Sequence, residues 1–202
     1  IILIKLIATI TEAKRQGLWN LFLPHKLPAS FSPSLSPPCN LSYREYGILC
    51  ETMGSSFLAP EACNCSAPDT GNMEVLLQFG TPAQQHTFLV PLLEGTIRSA
   101  FLKTEPHVAS SDATNIETKL TKVVDKHTNA VSYILDGKKW WSTGVMDPRC
   151  KVAIVLARMD YSLCPPEHRI DTETERRHRG HTMVVVSTAT PGFRLVRPLT
   201  VF

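Results

Sequence analysis

The chain has 202 residues, of which 43% are hydrophobic and 19% are charged, and its formal net charge at pH 7 is +3. This length is enough for one large or two small globular domains. So mild a positive charge gives no indication of nucleic-acid binding, which a clustered basic face would favour. The densest charge run, residues 167–181, interleaves both signs, and we interpret it as a solvated loop.

The six cysteines match no structural zinc pattern. No Cys-x-x-Cys pair is present, Cys63 and Cys65 are too close together for zinc-ligand spacing, and no pair of histidines accompanies them. The sequence therefore predicts reduced thiols in an intracellular protein and no metal site.

The first part of the chain is predicted to be helical. A helix that is already under way at residue 1 ends near Gly17, and a buried connector follows over residues 18–24. Residues 27–39 are rich in proline, which removes backbone donors, so we expect an irregular loop there. The chain begins without Met and stops in a strand-like run, and we therefore expect a piece of a longer protein.

Two capping signals mark later helices. Ser42 followed by Glu45 is a capping box, and the helix that it begins is predicted to end at Gly54. Thr81, Pro82 and Gln84 form a second start signal with proline in the first helical position. We expect that second helix to be kinked at Pro91 and to stop at Gly95.

From residue 97 the pattern changes to short strands separated by turn signals. Asp136-Gly137 predicts a type I′ hairpin turn, and Pro191-Gly192 predicts a turn between the last two strands. The predicted strands are 97–104, 119–125, 130–135, 138–143, 151–159, 181–188 and 193–202. The fold class is therefore α+β: a helical domain over 1–95, then a small antiparallel β barrel or sandwich over 96–202.

The segment from residue 101 to residue 111 is one candidate ligand site. A strand brings in Phe101 and Thr104, and a loop of small residues follows at Ala109, Ser110 and Ser111. Such a loop can expose backbone N–H groups to a phosphate or to the polar edge of a heterocycle. Taken alone, the pattern is also typical of an ordinary turn.

A second candidate is "KKWWSTG", residues 138–144. On a strand, neighbouring side chains alternate in facing, so Trp140 and Trp141 are predicted to point to opposite sides, with Thr143 beside Trp141. One tryptophan could then enter the core while the other forms an aromatic wall for a flat ligand such as an isoalloxazine ring. The alternative is that both tryptophans belong to the core and rim of a barrel.

Together these two motifs resemble the middle β domain of the acyl-CoA dehydrogenases, and most closely the branch numbered as members ten and eleven. The paired patterns are Thr-Glu-Pro at 104–106 with Ser-Ser-Asp at 110–112, and Gly-x-Lys-x-Trp-x-Thr at 137–143. The resemblance extends over nearly the whole chain. Its segments are 59–85, 91–95, 104–117, 136–144 and 197–202.

The resemblance implies an FAD-dependent enzyme that oxidises the Cα–Cβ bond of a fatty acyl-CoA and passes a hydride to the flavin. It implies that Thr104 lies near the pyrimidine end of the flavin, Trp141 beside the ring and Thr143 near N5, and that Ser111 also touches the substrate. The cofactor-binding set that it implies is Phe101, Thr104, Glu105, Pro106, Ala109, Ser110, Ser111, Trp141, Ser142 and Thr143.

No catalytic residue is assigned. In the family the carboxylate base comes from a C-terminal helical bundle, and we expect that bundle to be absent from this chain. Ser142 also replaces the isoleucine usual in the family motif. Because the base would lie outside this chain, one alternative is a catalytically inactive truncated chain that acts only by associating with full-length partners. A second, unrelated alternative is a flavin-free β-barrel binding module with a helical extension.

The resemblance also implies partners and a location. The substrate would be an acyl-CoA, and the electron acceptor would be an electron-transfer flavoprotein or oxygen. The full-length form would be a homo-oligomer. From the mild net charge we expect no nucleic-acid partner. We expect a mitochondrial location, with the peroxisome as the alternative.

Overall fold

The computed structural model describes residues 2–23, 27–28, 30–32, 35, 40–160 and 180–200. The chain divides into two compact units, residues 1–99 and 100–202. Helices make up most of the first unit and strands most of the second, which confirms the predicted α+β class. The assignment of residues 1–95 to the family's N-terminal helical domain remains a prediction.

Helical segments occupy most of the first unit. They are α1 (Ile2–Arg15), α2 (Tyr43–Gly54), α3 (Ala59–Ala62), α4 (Asp69–Phe79), α5 (Pro82–Gln84), a π-helical segment (Gln85–Leu89) and α6 (Val90–Glu94). The sequence patterns predicted α1, α2 and the α5–α6 region but gave no signal for α3 or α4.

Both predicted capping boxes are present. The Ser42 hydroxyl accepts a hydrogen bond from the Glu45 amide at 3.3 Å, and the Glu45 carboxylate accepts one from the Ser42 amide at 2.8 Å. Thr81 and Gln84 make the same exchange at 3.3 and 2.9 Å. Each pair satisfies two backbone donors that the first turn of a helix leaves unpaired, which fixes where α2 and α5 begin.

The helix that begins at Pro82 is irregular near the predicted position. The π-helical segment lies directly before α6, in which Pro91 is the second residue. Proline has no N–H and excludes the carbonyl four residues earlier, so a wider turn before it relieves the conflict. Gly95 then ends the helix at a φ of +75°, as predicted.

The buried connector is confirmed over residues 19–23, all of which are buried. The Trp19 indole nitrogen donates to the Leu93 carbonyl at 2.8 Å, and the Asn20 amide donates to the same carbonyl at 3.1 Å. Asn64 in turn donates to the Asn20 side chain at 2.8 Å. These bonds satisfy polar groups that burial would otherwise leave unpaired.

A second buried polar cluster lies within the first unit. Arg98 forms ion pairs with Asp69 and with Glu61, each at 2.9 Å. The Asp69 carboxylate also accepts the Ser99 amide at 2.7 Å and the Ser99 hydroxyl at 2.6 Å. Because Asp69 is the first residue of α4, these contacts fix that helix to residues 98 and 99 at the end of the first unit.

The second unit is built on one sheet. Its strands are β1 (Arg98–Leu102), β2 (Lys119–Val124), β3 (Val131–Asp136), β4 (Cys150–Asp160) and β5 (His181–Ser187). The strand order is β1-β4-β2-β3, and β5 also pairs with β4. The apolar core on this sheet consists of Ala100, Leu102, Cys150, Ala153 and Val155.

The sheet corrects the predicted antiparallel barrel or sandwich. The pairs β2–β3 and β4–β5 are antiparallel, but β2 and β4 run parallel, with Lys119 opposite Arg158. Over the described strands the sheet is therefore mixed and open. Alternating hydrophobicity identifies a strand but not the direction of its partner, since that depends on where the intervening chain crosses.

Two predicted strands are wrong. Residues 137–149 contain no strand, and Trp141 has a φ of +50°, which an extended strand cannot accommodate. Gly137 does not have the positive φ that a type I′ turn requires, so the predicted hairpin is also wrong. Residues 193–200 form no strand either, although Gly192 makes the predicted turn with a φ of +91°.

Some predictions lie outside the described residues, including most of the proline-rich loop and the charge run from 167 to 179. The four described cysteines, Cys50, Cys63, Cys65 and Cys150, are reduced thiols. Among the described residues, no group of three His, Cys, Asp or Glu side chains could hold a metal ion. The described helices are all too short or too polar to cross a bilayer.

Candidate functional site

The first candidate segment, residues 101–111, lies beside a second segment, residues 137–143, which carries the Gly-x-Lys-x-Trp-x-Thr motif and most of the second candidate site. The Trp140 amide donates to the Thr104 carbonyl at 3.0 Å. One residue earlier in each segment, the Lys139 ammonium donates to the Lys103 carbonyl at 2.9 Å. Two motifs whose bonded residues are 36 positions apart in the chain thus form one local surface.

A buried ion pair lies beneath this surface. The Lys139 ammonium is 2.7 Å from a Glu105 carboxylate oxygen, and the two side chains are only 7% and 5% exposed. Lys139 also donates to the Leu156 carbonyl of β4 at 2.8 Å. All three N–H donors of the ammonium are therefore used, two on residues 103 and 105 of the first segment and one on β4.

The Glu105 carboxylate is fully engaged as well. It accepts the backbone amides of Glu117 and Thr118 at 2.8 and 2.9 Å, and the Thr118 hydroxyl donates to it too. Burial raises the pKa of Glu105, but the bonds from Lys139 and Thr118 outweigh it and lower that pKa to about 2. Glu105 is therefore ionised at neutral pH and is not poised to accept a proton.

The loop after Glu105 is held by its own side chains. The Ser110 hydroxyl is buried, accepts the Glu105 amide at 2.8 Å and lies 3.2 Å from the Val108 carbonyl. The Asn115 side chain donates to the Ala109 carbonyl at 3.2 Å. Ser110 thus acts inside the loop, while its neighbours Ala109 and Ser111 are exposed.

The tryptophans do not alternate across a strand as predicted. Trp140 and Trp141 are 40% and 52% exposed, so neither is in the core. Their ring centroids are 6.2 Å apart and the rings are tilted by 57°. The positive φ of Trp141 turns the chain out of the extended conformation, so both indoles stay at the surface.

The predicted site residues differ in what they offer a ligand. Glu105 and Ser110 are buried and satisfied internally, so their side chains act within the unit. Phe101, Thr104, Pro106 and Ser142 are half-buried, and Ala109, Ser111, Trp141 and Thr143 are exposed. An exposed indole in the same short segment as the exposed Thr143 hydroxyl suits a flat heteroaromatic ring with a polar edge. The roles of these residues remain predictions.

The sequence patterns did not indicate Thr118, indicated only a turn at Gly137 and suggested no role for Lys139. Thr118 joins β2 to the Glu105 carboxylate, and Gly137 allows the second segment to pass close to Thr118. One signal was available: a lysine between a glycine and two tryptophans is an odd choice for a strand that packs on a core. A long-range ion pair, however, has no local sequence pattern.

Comparison with known proteins gives a consistent result. The model of the acyl-CoA dehydrogenase middle domain matches residues 100–201. Human acyl-CoA dehydrogenase family member 11 is 44% identical over 94% of this chain, which spans 21% of that protein. Mouse family member 10 is 44% identical over 95% of this chain, which spans 16% of that protein.

Solved structures show the same fold. A Mycobacterium abscessus structure named as an acyl-CoA dehydrogenase is 43% identical with a TM-score of 0.77, and the match covers 97% of this chain and 42% of that one. A glutaryl-CoA dehydrogenase from Mycobacterium smegmatis, in complex with FADH2, is 21% identical with a TM-score of 0.58, over 91% and 38% of the two chains. The chain belongs to the acyl-CoA dehydrogenase family, with residues 100–201 corresponding to its middle domain.

Proposed function

We propose that residues 101–111 and 137–143 form one wall of an FAD site in a flavin-dependent acyl-CoA dehydrogenase. The enzyme would oxidise the Cα–Cβ bond of a fatty acyl-CoA. The observation that supports this most is the hydrogen bond between Trp140 and Thr104, which joins the two family motifs into one surface. A relative of the same fold was solved with FADH2, which favours FAD as the cofactor here.

The cofactor, when bound, supplies the hydride acceptor that no protein side chain can provide. The role of this chain would be to bind and orient it. The Trp141 indole would cover a face of the flat ring, and the Thr143 hydroxyl would donate toward the ring edge on which negative charge develops. A donor held in place before the reaction stabilises that charge without reorganisation. Ser111 would contact the acyl-CoA.

The remaining assignments rest on the resemblance. The electron acceptor would be an electron-transfer flavoprotein or oxygen, the full-length form would be a homo-oligomer, and its location would be mitochondrial or, alternatively, peroxisomal. Because the chain spans 21% of its human relative, we expect it to bind FAD weakly by itself. We also expect it to be colourless after purification and to dehydrogenate no acyl-CoA.

The cofactor assignment can be tested without turnover. The three tryptophans would be replaced by 5-fluorotryptophan, and fluorine NMR spectra recorded as FAD is added. Trp140→Phe and Trp141→Phe variants assign the signals. We expect FAD to shift the Trp141 signal in a saturable way and to leave the signal of buried Trp19 unchanged. ADP, which lacks the flavin ring, should not shift Trp141.

An unchanged Trp141 signal at millimolar FAD would contradict the cofactor assignment. A shift of equal size with ADP would contradict it too, because the flavin ring would then not be the group recognised. A purified chain that is yellow and active would instead refute our expectation of weak binding, and it would support the assignment of the site.

A further inference from the structure

The Glu105–Lys139 pair differs from an ordinary surface ion pair because it is buried and because its hydrogen bonds connect several parts of the second unit. Lys139 donates to three acceptors: the Lys103 carbonyl, the Glu105 carboxylate and the Leu156 carbonyl. Those acceptors belong to the first site segment and to β4. Glu105 extends the same connection to the start of β2 through the amides of Glu117 and Thr118. One ammonium thus fixes the second segment against three other parts of the unit.

The two residues that follow Lys139 are the exposed tryptophans. The Trp140 amide bonds to Thr104, directly beside the Lys139 bond to Lys103. Trp141 then adopts a φ of +50°, an uncommon conformation for a bulky residue that persists only where the surroundings impose it. Among the described residues, the bonds of Lys139 and of Trp140 are the long-range hydrogen bonds between this segment and the rest of the unit.

Gly137, two residues before Lys139, lets this segment approach Thr118 closely. A Cβ on Gly137 would lie 2.7 Å from both Cβ and Cγ2 of Thr118. A residue without a side chain is therefore needed at position 137 if the segment is to come close enough for Lys139 to bond to Glu105. The three residues thus have separate roles along the segment. Gly137 allows the close approach to Thr118, Lys139 forms the buried ion pair, and Trp141 presents the exposed ring.

We propose that Lys139, through its buried pair with Glu105, is the positioning residue that sets the place and orientation of the Trp141 indole beside the first site segment. This inference rests on the proposed function only in that the positioned ring is taken to contact the cofactor. Lys139 touches no ligand itself. Its effect on cofactor binding would be exerted entirely through Trp141 and its neighbours.

The test compares four variants of the 202-residue chain that contain 5-fluorotryptophan. Lys139→Met removes the ammonium while keeping most of the side-chain volume, and Glu105→Gln removes the opposite charge. The double variant removes both charges, so no unpaired charge stays buried. Lys138→Met is the matched control, because Lys138 is exposed and lies one residue before the anchor.

We expect the Trp141 fluorine signal to move toward its value in the unfolded chain in Lys139→Met and in the double variant. It should stay in place in Lys138→Met, and the Trp19 signal should not move in any variant. The apparent FAD dissociation constant should rise roughly tenfold in Lys139→Met, as expected when the main anchor of one binding wall is lost. The double variant should be more resistant to urea than either single variant yet show the same displaced signal.

The outcomes separate this inference from the proposed function. A displaced Trp141 signal supports the positioning role even where FAD fails to bind the wild-type chain, a result that would contradict only the cofactor assignment. A Trp141 signal that is unmoved in the double variant overturns the positioning role, whatever FAD does. Equal displacement by Lys138→Met also overturns it. If neither Lys139→Met nor the double variant folds, the pair supports the whole sheet rather than the site, and the inference is likewise overturned.

Discussion

Gly137 passes the side chain of Thr118 so closely that a methyl group on the glycine would lie 2.7 Å from Thr118 Cβ. Thr118 is 4% exposed and bonds to Glu105, so it cannot turn away without breaking a buried contact. We therefore expect Gly137→Ala to lower the free energy of unfolding by about 1–3 kcal/mol, as overpacking does in other cores. Urea unfolding followed by circular dichroism measures this change.

The control for that substitution is Gly47→Ala. Gly47 lies within α2, and a Cβ there would meet nothing within 4 Å. Alanine is the better helix former, so this change should raise the stability by roughly 0.5–1 kcal/mol. A Gly137→Ala chain as stable as wild type would show that the segment can move away from Thr118 at little cost.

The stability of the second unit should depend on the ionisation of Glu105. Its pKa in the folded protein is about 2, below the ordinary value of 4.5, so the ionised form is favoured by folding. The stabilisation is complete above pH 4.5 and is lost as the pH falls toward 2. Urea unfolding of wild type and Glu105→Gln between pH 2 and 7 measures it. The wild-type advantage should shrink across that window, and a constant difference would contradict the assigned pKa.

Arg98 should be important for the first unit. Arg98→Met would leave the Asp69 carboxylate buried without its cation, and breaking a buried pair in this way costs about 3–5 kcal/mol. The comparison is Arg15→Met, which breaks the Arg15–Glu12 pair on the exposed surface of α1. That variant should unfold at the wild-type urea concentration. An equal loss of unfolding free energy in the two variants would contradict the prediction that the buried ion pair stabilises the protein more than the exposed one.

Thr143 is the hydroxyl whose proposed role is kinetic. In a flavin-loaded acyl-CoA dehydrogenase that contains this chain, Thr143→Val should slow flavin reduction on the order of tenfold and change substrate binding less. The reason is that the hydroxyl acts on charge that develops only during hydride transfer. Stopped-flow reduction by an acyl-CoA measures both effects, with Thr190→Val in an exposed turn as the control. An unchanged reduction rate would remove Thr143 from the mechanism.

The features that the sequence predicted well are those with local causes. Ser42 with Glu45 and Thr81 with Gln84 satisfy helix ends with side chains three residues away, so the pattern is visible in any short window. Gly95 is similar, because a helix end at positive φ favours glycine through its own backbone alone. Strands β1 to β5 were each found from a run of β-branched or alternating residues.

The predictions that failed depend on residues far away in the chain. The sequence predicted Gly137 as a turn residue, but in the structure it allows the chain to pass close to Thr118, nineteen positions earlier in the sequence. Trp141 looked like a strand residue, but the bonds of Lys139 and Trp140 to the first segment accompany a conformation outside the strand region. The parallel direction of β2 and β4 likewise follows from a crossover that no short window contains.

The place of β4 in the sheet has a consequence for how the second unit folds. This strand pairs with β1, β2 and β5, and two of those three precede it in the chain. The β2–β3 hairpin can form early from neighbouring residues, whereas β1 has no strand partner among the described residues until β4 is available. In pulsed hydrogen exchange during refolding, amides of β2 and β3 should become protected before those of β1, and the reverse order would contradict this. We therefore expect the slowest step in forming this sheet to be the pairing of β4, residues 150–160, with its partner strands.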